Sequence, residues 1–245
     1  NKRSYGDVAI NKRLLISMEK FNQIKYFDQK NGIIECESGV LLKDMTAKII
    51  GDKWFVPITP GTKYVSLGGM VANNVHGKNI KNNQLKYFIK EIKLLKIDNK
   101  IIVCTKKKNK KIFDLTIGGY GLTGIIISVT LKLKKISSPF LDQKILEFRS
   151  YKQFFAMTNY EGDYDYSVYW IGNFSEKTIQ GLNYLSKHSD KKNKKRILIK
   201  DKKINLFSYL VSKTIIKNYY ISKLINLVFR KYKKTFYSKI VNYNE

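Results

Sequence analysis

Three short glycine-containing segments carry the residue types that could hold a phosphate-bearing ligand. They read RSYGD at 3–7, PITPGTKYVSLGGMVANNVHGKN at 57–79 and GGYGLTG at 118–124. Small residues leave successive backbone N–H groups unobstructed, and such groups form anion-binding nests. The hydroxyls of Ser4, Thr62 and Ser66 can donate further hydrogen bonds to phosphate. From the residues alone two interpretations remain open: a nucleotide or flavin site, or ordinary turns in an α+β protein.

The segment 57–79 differs in composition from the rest of the chain. The protein has 47 Lys and Arg residues, but only Lys63 and Lys78 lie here, and the segment contains no acidic residue. It holds two of the three prolines, four of the 15 glycines and one of the two histidines, His76. Small, nearly uncharged residues suit a backbone that lies directly against a flat ligand.

Residues 119–124 (GYGLTG) match the G-x-G-x-x-G pattern of Rossmann dinucleotide-binding domains. In that fold a helix follows the glycines, and the N-terminus of the helix holds the pyrophosphate. Here the next residues, 125–133, are rich in β-branched side chains and predict a strand instead. We therefore predict a tight glycine bend at this position and no Rossmann site.

The elements that position these segments are predicted from hydrophobic periodicity. Alternation predicts strands at 33–37 and 125–133, and a turn at 98–100 joins the two apolar runs of a β-hairpin. Helical spacing predicts a helix over 40–50, and 71–75 fits one short helical turn. The remaining predictions for this part are the hairpin strands at 91–97 and 101–105, a basic loop at 106–111 and a short apolar segment at 112–117.

The sequence changes in character after Pro139, which marks a predicted domain boundary. Residues 166–170 resemble a strand, and the apolar and aromatic residues of 204–232 predict a helix with interspersed lysines. Residues 186–195 are polar and charged and predict a mobile surface loop, so His188 within it receives no functional role.

The formal net charge of +28 raises the possibility of a nucleic-acid partner. Only five of the basic residues are arginine, the residue that favours bidentate recognition of phosphates and bases. General enrichment in lysine is the first interpretation, and an anionic partner such as a membrane surface is the second. No run of 18 uncharged apolar residues predicts a transmembrane helix. Cys36 and Cys104 lie far apart on apolar stretches and predict buried thiols, without a disulfide or metal site.

Four motifs resemble those of the FAD-linked oxidases of the vanillyl-alcohol-oxidase type, which carry a PCMH-type FAD-binding domain. They are RSYGD at 3–7, PGTKYVSLGG at 60–69, VHGKN at 75–79 and GGYGLTGII at 118–126. The likeness is strongest to the branch with the decaprenylphosphoryl-β-D-ribose 2′-oxidases and the sugar-lactone oxidases. Order and spacing match over about 1–135, and the likeness is weaker beyond Pro139. The resemblance implies an α+β fold, with a PCMH-type FAD-binding domain over 1–138 and a partial substrate domain over 139–245.

The resemblance also implies which residues contact FAD. It places the following candidates along the phosphates, the ribitol and the isoalloxazine ring: Arg3, Ser4, Tyr5, Gly6, Asp7, Gly61, Thr62, Ser66, Leu67, Gly68, Gly69, Asn73, Asn74, Val75, His76, Gly77, Tyr120, Gly121 and Ile126. Many relatives have a covalently flavinylated histidine where this chain has Arg3, so non-covalent FAD is expected.

The implied reaction is oxidation of a secondary alcohol on a sugar or a polyprenyl-phosphate sugar. A hydride leaves the carbinol carbon for the flavin, and a base takes the hydroxyl proton. His76 and Tyr5 are the candidates for the catalytic face, and the alternative for His76 is that it only fixes its loop. The alternative functions are a sugar-lactone oxidase of the arabinonolactone type and a charge-driven nucleic-acid-binding protein.

The resemblance implies further expectations for the whole protein. We expect a small-molecule or lipid-linked sugar substrate, no metal and no nucleic acid, and a partner reductase is a further candidate. A cytoplasmic protein is expected, with peripheral contact to the inner membrane through 204–232, although 204–232 as a packed helix of the substrate domain is the alternative. The chain also resembles a fragment without the first FAD subdomain, which would bind FAD poorly and lack activity alone.

Overall fold

The computed structural model describes residues 3, 4, 8, 10–81, 84–174, 178–190 and 238–242. The chain divides into two compact units, Asn1–Ile136 and Ser137–Glu245. This division lies two residues before the predicted boundary after residue 138. The roles of the two units as cofactor and substrate domains stay predictions.

An antiparallel five-stranded sheet organises the first unit. Its strands are β1 Ile24–Asp28, β2 Ile33–Glu37, β4 Ile89–Leu95, β5 Ile101–Thr105 and β6 Ile125–Lys132. Their spatial order is β1-β2-β6-β4-β5, so only β1–β2 and β4–β5 are hairpins of consecutive strands. A separate two-stranded sheet pairs β3 (Trp54–Phe55) with β7 (Lys134–Lys135).

Three short helices supply the other half of the core of this unit. They are α1 (Leu42–Ile49), α2 (Leu67–Ala72) and α3 (Lys110–Thr116). Strand side chains that alternate along β2, β4 and β6 pack against apolar side chains of the helices. The buried cluster includes Ile34, Cys36, Ile92, Leu94, Val129 and Leu131 from the sheet, and Met45, Ile49, Met70, Val71 and Phe113 from the helices.

A polar group links three neighbouring strands of the sheet. Glu35 on β2 accepts hydrogen bonds from the Lys93 ammonium on β4 (2.8 Å) and from the Ser128 hydroxyl on β6 (2.9 Å). The bond from Lys93 is the main cause that lowers the pKa of the Glu35 carboxyl, and the same bond raises the pKa of Lys93. The strands are therefore joined by side chains as well as by their backbone ladders.

The second unit is built on an antiparallel four-stranded sheet. Its strands are β8 (Phe140–Phe148), β9 (Tyr166–Phe174), β10 (Ile179–His188) and β11 (Ser238–Asn242), in the spatial order β11-β8-β10-β9. The short helix α4 (Tyr151–Ala156) follows β8, and the side chain of its N-cap residue Ser150 accepts a hydrogen bond from the Gln153 N–H. Phe148, Met157 and Ile179 form a buried apolar cluster.

His188 is not in a mobile surface loop, and that prediction is wrong. It is the last residue of β10 and is only 7% exposed. Its Nδ1 lies 2.8 Å from the Ser138 carbonyl oxygen, which can only accept, so Nδ1–H donates. The Tyr166 hydroxyl, 2.9 Å from Nε2, then donates to the remaining nitrogen. Residues 191–195 of the predicted loop lie outside the described residues.

Most predicted elements of the first unit are confirmed, and the α+β fold is confirmed. The strands at 33–37 and 125–133, the hairpin and the helix within 40–50 are all present. The predicted turn at 71–75 is corrected, because α2 begins four residues earlier at Leu67. The segments 106–111 and 112–117 are also corrected, because α3 begins within the predicted loop at Lys110. The described residues contain no helix long and apolar enough to cross a membrane, and 204–232 lies outside them.

Candidate functional site

The segment 57–79 is closed by hydrogen bonds between its two ends. The Asn79 side-chain amide donates to the Pro57 carbonyl (2.7 Å), and its carbonyl oxygen accepts from the Thr59 N–H (3.3 Å). The Lys78 N–H donates to the Thr59 carbonyl (3.2 Å). A Cβ on Gly77 would overlap the Thr59 carbonyl oxygen, so this position requires glycine for close backbone contact.

Helix α2 lies within this segment and is held by the connection between β2 and α1. The N–H of Leu67 donates to the Val40 carbonyl (2.9 Å), and the N–H of Gly68 donates to the Ser38 carbonyl (2.7 Å). A Cβ on Gly68 would lie 2.8 Å from the Ser38 Cβ. Leu67 and Gly68 therefore use their N–H groups within the protein, and Gly68 is required for packing.

The glycine loop 118–124 lies at the C-terminal end of α2. The N–H groups of Gly118 and Tyr120 donate to the carbonyls of Val71 and Ala72, both at 2.9 Å. Gly118, Tyr120, Gly121 and Gly124 all have positive φ angles, as a tight bend requires. The loop leads directly into β6 and not into a helix, so the predicted tight bend and the strand after it are confirmed.

The N-terminal motif also approaches the segment 57–79. The Arg3 guanidinium carbon lies 5.8 Å from the centre of the Tyr64 ring, and the Lys63 ammonium lies 5.6 Å from the same ring. Both distances fit cation–π contacts. Ser4 is exposed, and Tyr5, Gly6 and Asp7 lie outside the described residues. Arg3 of this motif thus lies near Tyr64, which stands in the sequence between the candidates Thr62 and Ser66.

The candidate side chains differ in how available they are. His76 is exposed and forms a β-bridge with Gln84. The Asn73 side-chain amide donates to the Gly69 backbone carbonyl (2.8 Å). The side-chain oxygen of Asn74 accepts from the Lys86 backbone N–H (3.4 Å). Ile126 belongs to the buried core cluster, so its side chain packs in the protein. Thr62, Ser66 and Val75 are partly buried.

Lys78 is a basic residue of this site that was not among the predicted site residues. Desolvation lowers the pKa of its ammonium, although the residue retains exposed surface. The signal in the sequence was its place two residues after His76. In the described residues no group of histidine, cysteine and acidic side chains could hold a metal ion.

Two glycines of the candidate site face open space. A Cβ built on Gly61 or on Gly121 would meet no atom within 4 Å. Gly68 and Gly77, by contrast, are closely covered by other parts of the protein. Exposed backbone at Gly61 and Gly121 is what a flat ligand with phosphates requires for close approach, so the described residues fit FAD.

Residues 1–105 match the family model described as FAD binding domain. This part of the chain is therefore similar to an FAD-binding domain. The chain is 28% identical to decaprenylphosphoryl-beta-D-ribose oxidase of Mycolicibacterium smegmatis over 192 residues, which are 76% of this chain and 42% of that protein. The resemblance drawn from the motifs and the FAD cofactor are thereby confirmed.

Two further relatives of this FAD-binding chain carry different names. L-gulonolactone oxidase of Mus musculus is 25% identical over 129 residues, 53% of this chain and 29% of the relative. D-lactate dehydrogenase of Anaerostipes hadrus is 29% identical over 134 residues, 52% of this chain and 28% of the relative. The matched region spans less than half the length of each of these relatives.

Proposed function

We propose that the protein is an FAD-dependent oxidoreductase that oxidises a secondary alcohol of a sugar or of a polyprenyl-phosphate sugar. The observation that supports it best is that two other motifs contact the segment 57–79. Arg3 lies near Tyr64, before α2, and the loop 118–124 is bonded to the C-terminal end of α2. The names of two relatives, a decaprenylphosphoryl-ribose oxidase and a gulonolactone oxidase, support a sugar substrate.

The proposed cofactor site uses residues that the structure leaves accessible. Gly61, Thr62, Ser66 and Gly69 lie beside the phosphates, together with the N-terminal motif of which Arg3 and Ser4 are described. Gly121 and the backbone of Tyr120 offer an open surface with positive φ angles. The Leu67 and Gly68 N–H groups are already bonded, so these two residues support the site by packing. Bound FAD supplies the acceptor for the hydride.

His76 and Lys78 are proposed to lie beside the reacting alcohol, with Tyr5 as a further candidate. The imidazole of His76 is exposed and can accept the hydroxyl proton. Lys78 carries a cation whose solvation is already reduced, so it can interact strongly with an anionic group. Non-covalent attachment of FAD is proposed because Arg3 cannot form the histidyl–flavin bond.

The cofactor site is tested by blocking one open glycine. Gly61→Leu places a side chain where the backbone faces open space, and we expect it to abolish the flavin absorption band of the purified intact protein. Gly51→Leu is the matched control, because a Cβ on Gly51 also meets no atom within 4 Å. Retention of FAD by Gly61→Leu would contradict this placement of the cofactor.

The wild-type protein tests the remaining parts of the proposal. We expect a yellow protein whose flavin is released by acid precipitation, and a protein that takes up no FAD contradicts the function. Covalently retained flavin contradicts only the attachment. Turnover of a polyprenyl-phosphate pentose but not of an aldonolactone supports the first substrate class. The reverse result supports the sugar-lactone alternative, which the gulonolactone oxidase relative favours.

A further inference from the structure

Lysines from two chain segments meet at one end of the β4–β5 hairpin. Glu91 and Thr105 are the last paired residues of the antiparallel ladder at that end. Lys90, just before Glu91, and Lys106, just after Thr105, are therefore neighbours across the two strands. The Thr105 N–H donates to the Lys108 carbonyl (2.8 Å), which keeps the loop compact at the strand end before α3 begins. We call six exposed lysines of this region the basic patch: Lys90, Lys106, Lys107 and Lys108 at the hairpin end, Lys111 in the first turn of α3, and Lys86 four residues before Lys90.

The positive charge of the basic patch is not balanced by neighbouring acids. All six lysines are exposed, and within the described part of the chain none of them forms an ion pair. Lys110 beside them pairs with Asp114, one turn further along α3. Several unpaired cations at neighbouring positions of the chain produce a positive potential that attracts a partner with many negative charges.

Two exposed apolar side chains accompany the basic patch. Tyr87 is 55% exposed, and the Lys86 ammonium lies 5.2 Å from its ring centre. Leu115 is 56% exposed and lies four residues after Lys111 on α3, so both lie on the same helix face. Tyrosine and leucine beside lysines suit the interface of a bilayer, where apolar groups enter the headgroup region and ammonium groups meet anionic lipids.

We propose that the basic patch docks the protein on an anionic lipid bilayer. A nucleic acid is the less suitable partner, because the patch has no arginine for bidentate contacts to phosphates and bases. This interaction is independent of the proposed oxidation chemistry. It also involves a different part of the chain from 204–232.

The proposal is tested by co-sedimentation of the full chain with phospholipid vesicles. We expect binding to vesicles that contain phosphatidylglycerol, weak binding to pure phosphatidylcholine, and a loss of binding as NaCl is raised. Replacement of Lys90, Lys106, Lys107, Lys108 and Lys111 by Gln should lower the partition coefficient at least about tenfold, since each lysine near an anionic surface contributes about a fivefold gain. Tyr87→Ser should lower it further.

A charge-matched variant separates this patch from the general basicity of the chain. The control replaces five other exposed lysines by Gln: Lys12, Lys20, Lys48, Lys144 and Lys152. We expect the control to keep most of the vesicle binding. Equal losses in both variants would overturn the proposal, as would a wild type that ignores anionic vesicles. It is also overturned if the patch variant loses binding to a DNA duplex while its vesicle binding is unchanged.

Discussion

At the scale of single residues, the candidate site depends on glycines that have two different physical roles. Gly68 and Gly77 permit contact between parts of the protein, whereas Gly61 and Gly121 leave backbone open to solvent. From the sequence all four belong to one set of candidates, because the amino-acid sequence does not show which atoms lie opposite the missing Cβ. Only the tertiary contacts with Ser38 and Thr59 separate them.

Gly77→Ala tests the first role. Its Cβ would overlap the Thr59 carbonyl oxygen, which belongs to the backbone and cannot rotate away. We expect the free energy of unfolding to fall by about 1–3 kcal/mol, measured by urea denaturation. Gly61→Ala, which enters open space, should change the same quantity by less than about 0.5 kcal/mol. Equal effects of the two substitutions would count against the closed form of the segment 57–79.

The Glu35–Lys93 pair gives a second prediction at this scale. The pKa of Glu35 is lowered in the folded protein, so its stabilising effect is complete above the unfolded value of about 4.3 and is lost as the pH falls through the lower, folded value. Glu35→Gln should therefore cost about 1 kcal/mol of unfolding free energy near neutral pH and nothing well below pH 3. Denaturation of both proteins over this range measures the difference, and a gap that persists in acid would contradict the assignment.

At the scale of elements, the sequence predicts the helices and strands whose hydrophobic pattern agrees with the face that they bury in the fold. The strands at Ile33–Glu37 and Ile125–Lys132 have alternating or β-branched residues and pack one face on the core. The sequence predicts a start for α2 that is four residues too late, because Gly68 and Gly69 are poor helix formers. Its start is fixed by hydrogen bonds to Ser38 and Val40, which are distant in sequence.

Strand β10 is a second element that local sequence preferences do not predict, because it is formed by pairing with distant strands. Its sequence IQGLNYLSKH contains glycine, asparagine and lysine, which are depleted in strands, so its polar end predicts a loop. Pairing with β8 on one side and β9 on the other overrides these preferences. His188 is buried because Tyr166 and Ser138 satisfy both of its ring nitrogens.

Tyr166→Phe tests the bond that closes this end of the sheet. It removes the hydroxyl that donates to His188 Nε2 and leaves that buried nitrogen without this donor, so the unfolding free energy of the second unit should fall by about 1–2 kcal/mol. Tyr184→Phe on the neighbouring strand β10 is the control, since no hydrogen bond of its hydroxyl is found among the described residues, and it should have a smaller effect. An inert Tyr166→Phe variant would show that the pair does not stabilise the sheet.

At the scale of the whole molecule, the excess of lysine is the dominant property. The net charge of +28 destabilises the compact state through repulsion, and the described ion pairs are few and mostly exposed. We therefore expect added NaCl to raise the melting temperature in the absence of ligands, which differential scanning fluorimetry can measure. A melting temperature that falls steadily with salt would show that favourable ion pairs outweigh the repulsion.

Asn79 connects the two ends of the segment that carries most of the cofactor candidates. The length-dependent part of the entropy cost of closing a loop of this size is about 3 kcal/mol. The hydrogen bonds of Asn79 to Pro57 and Thr59 hold the loop closed in the folded protein, so this cost belongs to folding and not to cofactor binding. A cofactor that binds there does not have to order a free chain, so association should require little rearrangement of the backbone. The speed of reconstitution with FAD would then be limited by diffusion and by the opening to solvent at Gly61 and Gly121, not by refolding of the loop.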